Sequence, residues 1–384
     1  MIYFDQAASS FPKPVEVGEA MVFALNEVGA NPGRSGHHLA RKASEIIQET
    51  RERAARIFGC SDPKRAIFFQ NATGALNQAI KGLPWRKGDH IIATTVEHNS
   101  IRRPLENLKR IYGLEVSYIK WDEDDESFIE QIKKSINSNT KLIAMTHASN
   151  VTGSLLPIEK VANIVSNQNV LTLVDASQTA GHIPIHMSQM GIDLMAFPGH
   201  KGLLGPQGTG MLLIEGNIEL QPIFQGGTGA FSEDPEQPNQ MPEKLESGTL
   251  NTPGIAGLNA ALKAFESRQD VNVPRETFLI EVLLEGLETI EGVTCYGPGK
   301  QKPRMPIVAF NIFNISSQEI AMILDSHYKI AVRSGLHCSP TTHESLNTIE
   351  QGVVRASLSI FNTKEEVDAF IKAINEIASS YKLI

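Results

Sequence analysis

Short apolar segments alternate with amphipathic segments through the first two-thirds of the chain, and this alternation limits the possible folds more than any other feature. Each apolar segment has the four or five residues of a buried strand, and the segments between them have the period of a helix. Strands and crossover helices in this order form a largely parallel sheet. The predicted strands span residues 66–69, 90–93, 142–145, 171–174, 194–197 and 211–214, and the predicted helices span residues 39–58, 72–80, 101–111, 128–136 and 158–165.

The pattern changes near residue 270, where a second unit begins. A length of 384 residues, at about 150 residues per domain, fits one large domain and one smaller domain. We predict an α/β protein in three parts: an N-terminal segment of residues 1–15 that packs with the small domain, a large domain of residues 16–269, and a small α+β C-terminal domain of residues 270–384. The predicted elements from residue 253 onward are helices at 253–267, 276–289, 318–324 and 364–378, and strands at 307–312, 330–332 and 353–358.

The composition excludes several classes of protein. With 35 basic and 43 acidic residues the net charge is −8, which argues against a general nucleic-acid-binding protein, since such a protein needs a basic face. Its three cysteines form neither a disulfide framework nor a metal-binding pair, and we expect no metal. We expect no signal peptide, because the first residues lack a basic segment followed by a long apolar one, and no apolar run approaches the ~20 residues of a membrane span. We therefore expect a cytoplasmic protein without membrane contact.

Polar residues follow five of the predicted strands, at the point where each strand ends. In an open α/β sheet, ligands bind beyond the carboxyl ends of the strands. Five polar groups at this edge are more than ordinary loop composition explains, and together they predict one ligand site. The groups are residues 71–74, 94–98, 147–150, 175–178 and 198–201.

The residue types in these groups allow both ordinary and functional interpretations. Thr73 and Gly74 at a helix start suit a phosphate, although threonine is also a common helix cap. Asp175 is either a turn residue or a carboxylate that keeps a pyridinium nitrogen protonated. Lys201 is either a surface charge or the amine of a Schiff base to pyridoxal phosphate. His98 is either a core histidine or a ring that stacks on the cofactor and moves protons.

Taken together, ordered motifs between Asp5 and Val367 resemble the class V aminotransferase family, and within it the cysteine desulfurase and selenocysteine lyase branch. The resemblance implies a fold-type I enzyme that uses pyridoxal 5'-phosphate and works as a homodimer. The motifs are Asp5-Gln-Ala-Ala, Glu97-His-Asn-Ser, Ser149-Asn-Val-Thr-Gly, Asp175-Ala-Ser-Gln, Gly199-His-Lys and Glu246-Ser-Gly-Thr-Leu-Asn.

The resemblance also implies a role for each residue of the cofactor site. Lys201 would hold the cofactor, Asp175 would hold its ring nitrogen, and His98 would stack on the ring. Asn150 and Gln178 would contact the ring oxygen. The phosphate would be contacted by Thr73, Gly74 and His200, and Thr249 would reach the phosphate of the neighbouring subunit's cofactor.

A third informative region is residues 331–340, a polar segment that contains Cys338. A cysteine near Arg333 and His337 is either a passive thiol or one that these side chains favour as thiolate. The segment resembles the cysteine motif of SUF-type desulfurases, which implies that Cys338 accepts sulfur as a persulfide. Arg355 matches the family arginine that binds the substrate carboxylate.

Arg333 and Ala7 complete the predicted substrate site. The other two cysteines, Cys60 at a helix end and Cys295 in a strand, are predicted to be structural.

Two positions depart from the family pattern. Pro198 stands where relatives commonly have a serine that donates to the phosphate. The segment around Cys338 is one residue shorter than in SUF-type relatives. We expect this shortening to change which acceptor protein can bind the segment.

The favoured interpretation is a cysteine desulfurase that acts on L-cysteine. The alternatives are a selenocysteine lyase that acts on L-selenocysteine, a class V aminotransferase, and a cofactor-binding scaffold without turnover. A protein that accepts sulfur or selenium from Cys338 is a further expected partner.

Overall fold

The computed structural model describes residues 1–33, 36–267 and 269–382. Its strands are β1 (Ile2–Tyr3), β2 (Ala66–Phe69), β3 (His90–Thr94), β4 (Glu115–Ile119), β5 (Thr140–Thr146), β6 (Leu171–Asp175), β7 (Leu194–Pro198), β8 (Gly210–Ile214), β9 (Val293–Tyr296), β10 (Ile307–Ile312), β11 (Ile330–Ala331), β12 (Arg333–Gly335) and β13 (Val353–Ser357). Its α-helices are α1 (Val15–Phe23), α2 (His38–Phe58), α3 (Ala72–Lys81), α4 (Asn99–Tyr112), α5 (Asp125–Ser135), α6 (Ile158–Val165), α7 (Met187–Met190), α8 (Thr252–Glu266), α9 (Gln269–Glu288), α10 (Ser317–Ile323), α11 (Pro340–Leu346) and α12 (Lys364–Tyr381).

The larger sheet has seven strands in the order β2-β8-β7-β6-β5-β3-β4. All neighbouring pairs are parallel except those of β8, which lies antiparallel to both β2 and β7. β8 runs antiparallel to β7 because no helix lies between them in the chain, and a parallel arrangement would need a long crossover connection. The carboxyl ends of β2, β3, β5, β6 and β7 consequently share one edge, and the predicted mostly parallel α/β sheet is confirmed.

Every predicted strand and helix of the large sheet is present. The edge strand β4 was not predicted, because its residues are mostly exposed or half-buried and do not form an apolar run. Helix α1 was not predicted either, because its sequence has little amphipathic character. Apolar side chains cover both faces of the sheet: Phe128 and Phe197 belong to the cluster on one face, and Leu76 and Leu105 to the cluster on the other.

A second, antiparallel sheet has the order β12-β13-β10-β9. Its core includes Phe310 together with Leu283 from α9 and Phe370 from α12. The first residues of the chain lie against this part of the molecule, because β1 pairs with β11 and Asp5 forms a bridge with Ser357. The division of the chain at residues 15 and 269 stays a prediction.

The polar segment around Cys338 is partly a strand. Arg333 lies on β12 and pairs with β13, and only residues 336–339 form the turn before α11. Arg333 is therefore held by a sheet, while Cys338 lies in a turn. Within the described ranges, no helix is both long and apolar enough to cross a membrane.

Candidate active site

A cavity of about 90 Å³ lies at the shared carboxyl edge of the large sheet. The structure places seven of the predicted site residues in its wall, from five different strand ends. Pro198 also lines the cavity, and its side chain has no donor to offer a ligand. The seven residues are Thr73, His98, Asn150, Asp175, Gln178, His200 and Lys201.

Asp175 is the last residue of β6 and is 3% exposed. One carboxylate oxygen accepts a hydrogen bond from the Ser177 main-chain N–H at 2.9 Å. The main-chain carbonyl of Asp175 accepts from the His147 N–H at 3.0 Å, which joins β6 to the end of β5. A carboxylate held in this way is oriented before any ligand binds.

Lys201 lies in the turn that follows β7. The turn is closed by main-chain hydrogen bonds from Gly205 to Gly199 and from Leu204 to Lys201, both at 2.8 Å. Burial is the main cause that lowers the pKa of the Lys201 amine to about 8; the Asp175 carboxylate opposes this shift, and the Arg355 guanidinium adds to it. At pH 7 about a tenth of the Lys201 amine is therefore neutral and nucleophilic.

The N-terminal segment anchors the residue that precedes this lysine. The main-chain carbonyl of His200 accepts hydrogen bonds from the Lys13 ammonium at 2.8 Å and from the Ser10 N–H at 3.0 Å. Burial lowers the pKa of Lys13 to about 8. No role for Lys13 was predicted, because Lys13 and His200 are nearly two hundred residues apart in the sequence and a local pattern does not bring them together.

His98 belongs to a chain of hydrogen bonds at the start of α4. Its Nδ1 accepts from the Ser100 N–H at 3.1 Å and lies 2.9 Å from the Ser100 hydroxyl, which is 2.8 Å from the Thr73 hydroxyl. Burial lowers the pKa of His98 to about 4, although the Asp175 carboxylate opposes the shift. The ring is therefore neutral, with its proton assigned to Nε2 by the hydrogen bonds at Nδ1.

Two buried polar atoms of the cavity wall, Asn150 Oδ1 and His200 Nδ1, have no hydrogen-bond partner among the described residues. An unpartnered buried polar atom is costly, so these two atoms in the cavity wall are placed to bind a ligand. Burial lowers the pKa of His200 to about 4, which leaves its ring neutral. An acceptor at Asn150, an oriented carboxylate and a partly neutral amine fit pyridoxal phosphate, whose ring carries a hydroxyl, a nitrogen and an aldehyde.

Gln178 and Ala7 are linked, since the Gln178 amide donates to the Ala7 carbonyl at 3.3 Å. The Ala7 N–H in turn donates to the Ser357 hydroxyl at 2.9 Å. Ala7 is buried and is absent from the cavity wall. Its assignment to substrate binding stays a prediction.

Gly74 and Thr249 lie outside the cavity wall. The Gly74 N–H donates to the Asn71 side-chain oxygen at 2.9 Å, so Asn71 caps α3. Thr249 is exposed and borders a separate cavity of about 570 Å³. Their predicted contacts to phosphate groups stay predictions.

Arg355 is the middle residue of β13, an inner strand of the second sheet, and its side chain is buried. Its guanidinium donates to the Asn150 carbonyl at 2.8 Å and to Asp5 Oδ1 at 2.9 Å. Its Nε has no partner among the described residues. Burial lowers the pKa of Arg355 to about 10, and the Asp5 carboxylate opposes this shift. Asp5 and the main chain of Asn150 therefore orient the guanidinium that we predicted to bind the substrate carboxylate.

Cys338 is exposed, and its Sγ lies 3.9 Å from an Nη atom of Arg333. The other two thiols are shielded: burial raises the pKa of Cys60 to about 11 and that of Cys295 to about 12. At neutral pH neither of these two forms much thiolate, the form that reacts. Their prediction as structural residues fits this burial.

The expectation that His337 favours a thiolate at Cys338 is wrong. Its ring is 3% exposed, and Nε2 lies 3.1 Å from the Val353 carbonyl. Burial, with a contribution from the Arg355 charge, lowers the pKa of His337 to about 2, so the ring carries no charge at neutral pH. Of the two side chains named, only Arg333 brings positive charge to the thiol.

Sequence reasoning missed a buried acid beside the cavity. Glu97 has no exposed surface, and its carboxyl group accepts from the Thr94 hydroxyl at 2.5 Å and the Thr146 N–H at 2.9 Å. Burial raises the pKa of Glu97 to about 8, and nearby Asp175 adds to the rise. The signal was available, because Glu97 opens one of the motifs that carry the family resemblance. No metal-binding cluster of three or more His, Cys, Asp or Glu side chains occurs in the described part of the chain.

Comparison with known proteins decides the family. The class-V aminotransferase family model matches residues 2–370. The chain belongs to the class-V aminotransferase family. It is 34% identical to a probable cysteine desulfurase of Methanothermobacter thermautotrophicus, over 98% of this chain and 94% of that protein. It is 30% identical to the cysteine desulfurase IscS of Dictyoglomus turgidum, over 100% of this chain and 96% of that protein.

Solved structures agree with the sequence comparison. The apo structure of a cysteine desulfurase from Thermococcus onnurineus NA1 superimposes with a TM-score of 0.92 at 33% identity, over 99% of this chain and 95% of that chain. The cysteine desulfurase CsdA of Escherichia coli superimposes with a TM-score of 0.87 at 26% identity, over 98% and 94% of the two chains. The family resemblance and the fold-type I class predicted from the motifs are confirmed.

Proposed function

We propose that this class-V family member is a pyridoxal-phosphate-dependent cysteine desulfurase, which converts L-cysteine to L-alanine and captures the sulfur as a persulfide on Cys338. The proposal rests on one observation above all. A partly neutral lysine and an oriented carboxylate, Lys201 and Asp175, line one cavity, and the turn that carries the exposed Cys338 thiol is hydrogen-bonded to the cavity residue Asn150.

The residues present would hold pyridoxal phosphate through several side chains. Lys201 would attach it, Asp175 would hold the ring nitrogen, and His98 would stack on the ring. Asn150 and Gln178 would reach the ring oxygen. Thr73, His200 and, at the helix start, Gly74 are the proposed phosphate contacts. When bound, the cofactor supplies an electron sink for the electron pair left at the substrate α-carbon.

Lys201 acts as the base of the reaction. Its lowered pKa gives a neutral amine near neutral pH, which removes the proton from the substrate α-carbon. Asp175 would accept a hydrogen bond from the ring nitrogen and so keep a proton there, since an ionised carboxylate stabilises that charged form. His98 is neutral and carries its proton on Nε2, so it can donate a proton and take it back.

Cys338 carries the sulfur-transfer step. Its thiolate attacks the sulfur of the substrate, a sulfur–sulfur bond forms, and the substrate carbon–sulfur bond breaks. The electron pair of the broken bond stays with the carbon skeleton, which gains protons to become alanine. The balance is L-cysteine plus enzyme thiol to L-alanine plus enzyme persulfide. Arg333, 3.9 Å from Sγ, stabilises the attacking thiolate.

Arg355 is the proposed partner of the substrate carboxylate, with Arg333 and Ala7 at the same site. A guanidinium whose free Nε has no partner among the described residues can still donate to a carboxylate. We also propose a homodimer, in which exposed Thr249 reaches the partner's cofactor phosphate, and a cytoplasmic location. Mixed dimers of Lys201→Ala and Thr249→Ala subunits should then regain activity, because one of their two sites is intact.

Product analysis tests the proposed function. The purified protein, loaded with pyridoxal phosphate, is given L-cysteine and a thiol reductant, and alanine and sulfide are measured. Equal amounts of the two support the desulfurase. Alanine and selenide from L-selenocysteine, with little product from L-cysteine, would instead make the chain a selenocysteine lyase. Transfer of an amino group to a keto acid without sulfide would identify an aminotransferase.

A further inference from the structure

The turn that carries Cys338 holds an unfavourable backbone conformation. His337 has φ of 51° and Cys338 has φ of 58°, so two consecutive residues with side chains lie in the left-handed region. Residues other than glycine rarely adopt this region, and they stay there only where the surrounding structure holds them. The contacts that hold this turn are therefore informative.

Each residue from 337 to 339 is hydrogen-bonded to the carboxyl edge of the large sheet. The Asn150 amide donates to the His337 carbonyl at 2.7 Å. The Asn99 main-chain N–H donates to the Cys338 carbonyl at 2.8 Å. The Ser339 hydroxyl donates to the Glu97 carbonyl at 2.9 Å. Three contacts on three consecutive residues dock the turn on this edge.

The docking groups adjoin the cofactor cavity. Asn99 follows His98 at the start of α4, and Asn150 lines the cavity. Ser339 has no exposed surface, and its hydroxyl is also 2.9 Å from that of Thr342, which fixes its direction. The position of Cys338 is thus tied to the same strand ends that carry the site.

We infer that the Asn99 main-chain N–H and the Ser339 hydroxyl are positioning groups that hold Cys338 for attack on the substrate sulfur, an inference that rests on the proposed function. The left-handed backbone conformation of His337 and Cys338 disfavours the docked turn, and the hydrogen bonds to the large sheet stabilise it. Loss of one ordinary hydrogen bond shifts such a balance about fivefold to tenfold. The docked turn holds the exposed Cys338 thiol for sulfur transfer, and the undocked turn moves the persulfide away from the cavity toward an acceptor.

One substitution removes the Asn99 donor and also places a ring carbon where the N–H was, so the Cys338 carbonyl can no longer approach. Asn99 is the first residue of α4, where proline is well tolerated. The preceding residue, His98, has φ −68° and ψ 152°, a conformation that a following proline favours. Asn99→Pro therefore deletes the N–H that binds Cys338, and Asn99→Ala is the matched control that keeps it.

Hydrogen exchange on the cofactor-free protein gives a readout independent of activity. In Asn99→Pro we expect amide exchange in residues 336–342 to be at least about fivefold faster than in Asn99→Ala, with unchanged exchange in the large sheet. Ser339→Ala should give the same acceleration. Ser345→Ala, which loses only a hydroxyl contact to the Thr341 carbonyl within α11, is its control.

Kinetics on the loaded enzyme complete the test. Persulfide formation on Cys338 should slow about fivefold or more in Asn99→Pro and Ser339→Ala, with the KM for L-cysteine and the cofactor absorbance unchanged. If exchange and persulfide formation in both variants match their controls, the positioning role is wrong. If wild-type protein and both controls form no persulfide on Cys338, the proposed function fails instead, while the exchange result still decides whether the contacts dock the turn.

Discussion

Arg333 and Arg355 lie directly opposite each other on neighbouring strands β12 and β13. Like charges at opposed positions repel each other, so this pair needs compensation. Asp5 supplies a carboxylate at 2.9 Å to Arg355, whereas Arg333 is half-buried beside the Cys338 sulfur. The two guanidinium groups carry two positive charges, and Asp5 neutralises only one of them. The remaining positive charge is available to a substrate carboxylate and to a thiolate.

The two arginines should respond differently to substitution. Arg333→Gln should raise the KM for L-cysteine and slow persulfide formation, with little loss of stability, because it also removes the repulsion. Arg355→Gln should raise the KM and lower the free energy of unfolding by about 2–4 kcal/mol, since Asp5 and the Asn150 carbonyl lose a buried partner. Steady-state kinetics and urea unfolding measure the two effects. Equal stability losses would contradict this division.

The lowered pKa of Lys201 predicts unusual reactivity. In the cofactor-free protein, the rate at which an amine reagent labels Lys201 should rise with pH and level off above about pH 8, where the amine is mostly neutral. Ordinary surface lysines should keep rising toward pH 10.5. Peptide mass spectrometry separates Lys201 from Lys13, whose pKa is also about 8. A Lys201 profile like that of the surface lysines would show that the amine is not desolvated.

Asp175→Asn should lower turnover far more than cofactor content. A neutral amide still fills the space but does not hold a proton on the ring nitrogen, so the loss falls on the transition state in which charge develops. Absorbance of bound cofactor and the rate of alanine formation, measured on the same samples, test the difference. Parallel losses in the two would make Asp175 chiefly a binding residue.

Glu97 should make stability depend on pH. Its folded pKa is about 8, above the usual 4.5, so the folded protein binds a proton that the unfolded chain releases. The stabilising contribution is complete below about pH 4.5 and is lost as the pH rises toward 8. Between pH 5 and pH 8 the wild type should lose roughly 2–4 kcal/mol more unfolding free energy than Glu97→Gln, which is neutral throughout. Identical pH profiles would show that Glu97 is ionised in the folded protein.

Local patterns predicted most, but not all, of the elements of the fold. Every apolar run of four or five residues in the large sheet became a strand, because parallel strands covered on both faces are continuously apolar. The edge strand β4 lacks this signal, since it is buried mainly at Ile119. The short strand β12 lacks it as well, because its residues, Arg333 to Gly335, are polar or small.

The site was predictable to the extent that its residues follow strand ends. Thr73, His98, Asp175 and Lys201 converge because parallel strands share one edge. Contacts between distant parts of the chain were not predictable, such as that of Asp5 with Arg355 or of Ser339 with the Glu97 carbonyl. Nor was the burial of the His337 ring, because sequence proximity does not say where a side chain points.

The persulfide on Cys338 is the central claim, and peptide mass spectrometry after treatment with L-cysteine tests it most directly. One additional sulfur should appear on the peptide that contains Cys338, in step with alanine formation. The Cys338→Ala variant should keep the cofactor absorbance and lose alanine formation from L-cysteine by orders of magnitude, because the cofactor contacts come from other residues. Sulfur on Cys60 or Cys295, whose thiols burial keeps protonated, or undiminished desulfuration by Cys338→Ala, would contradict the account.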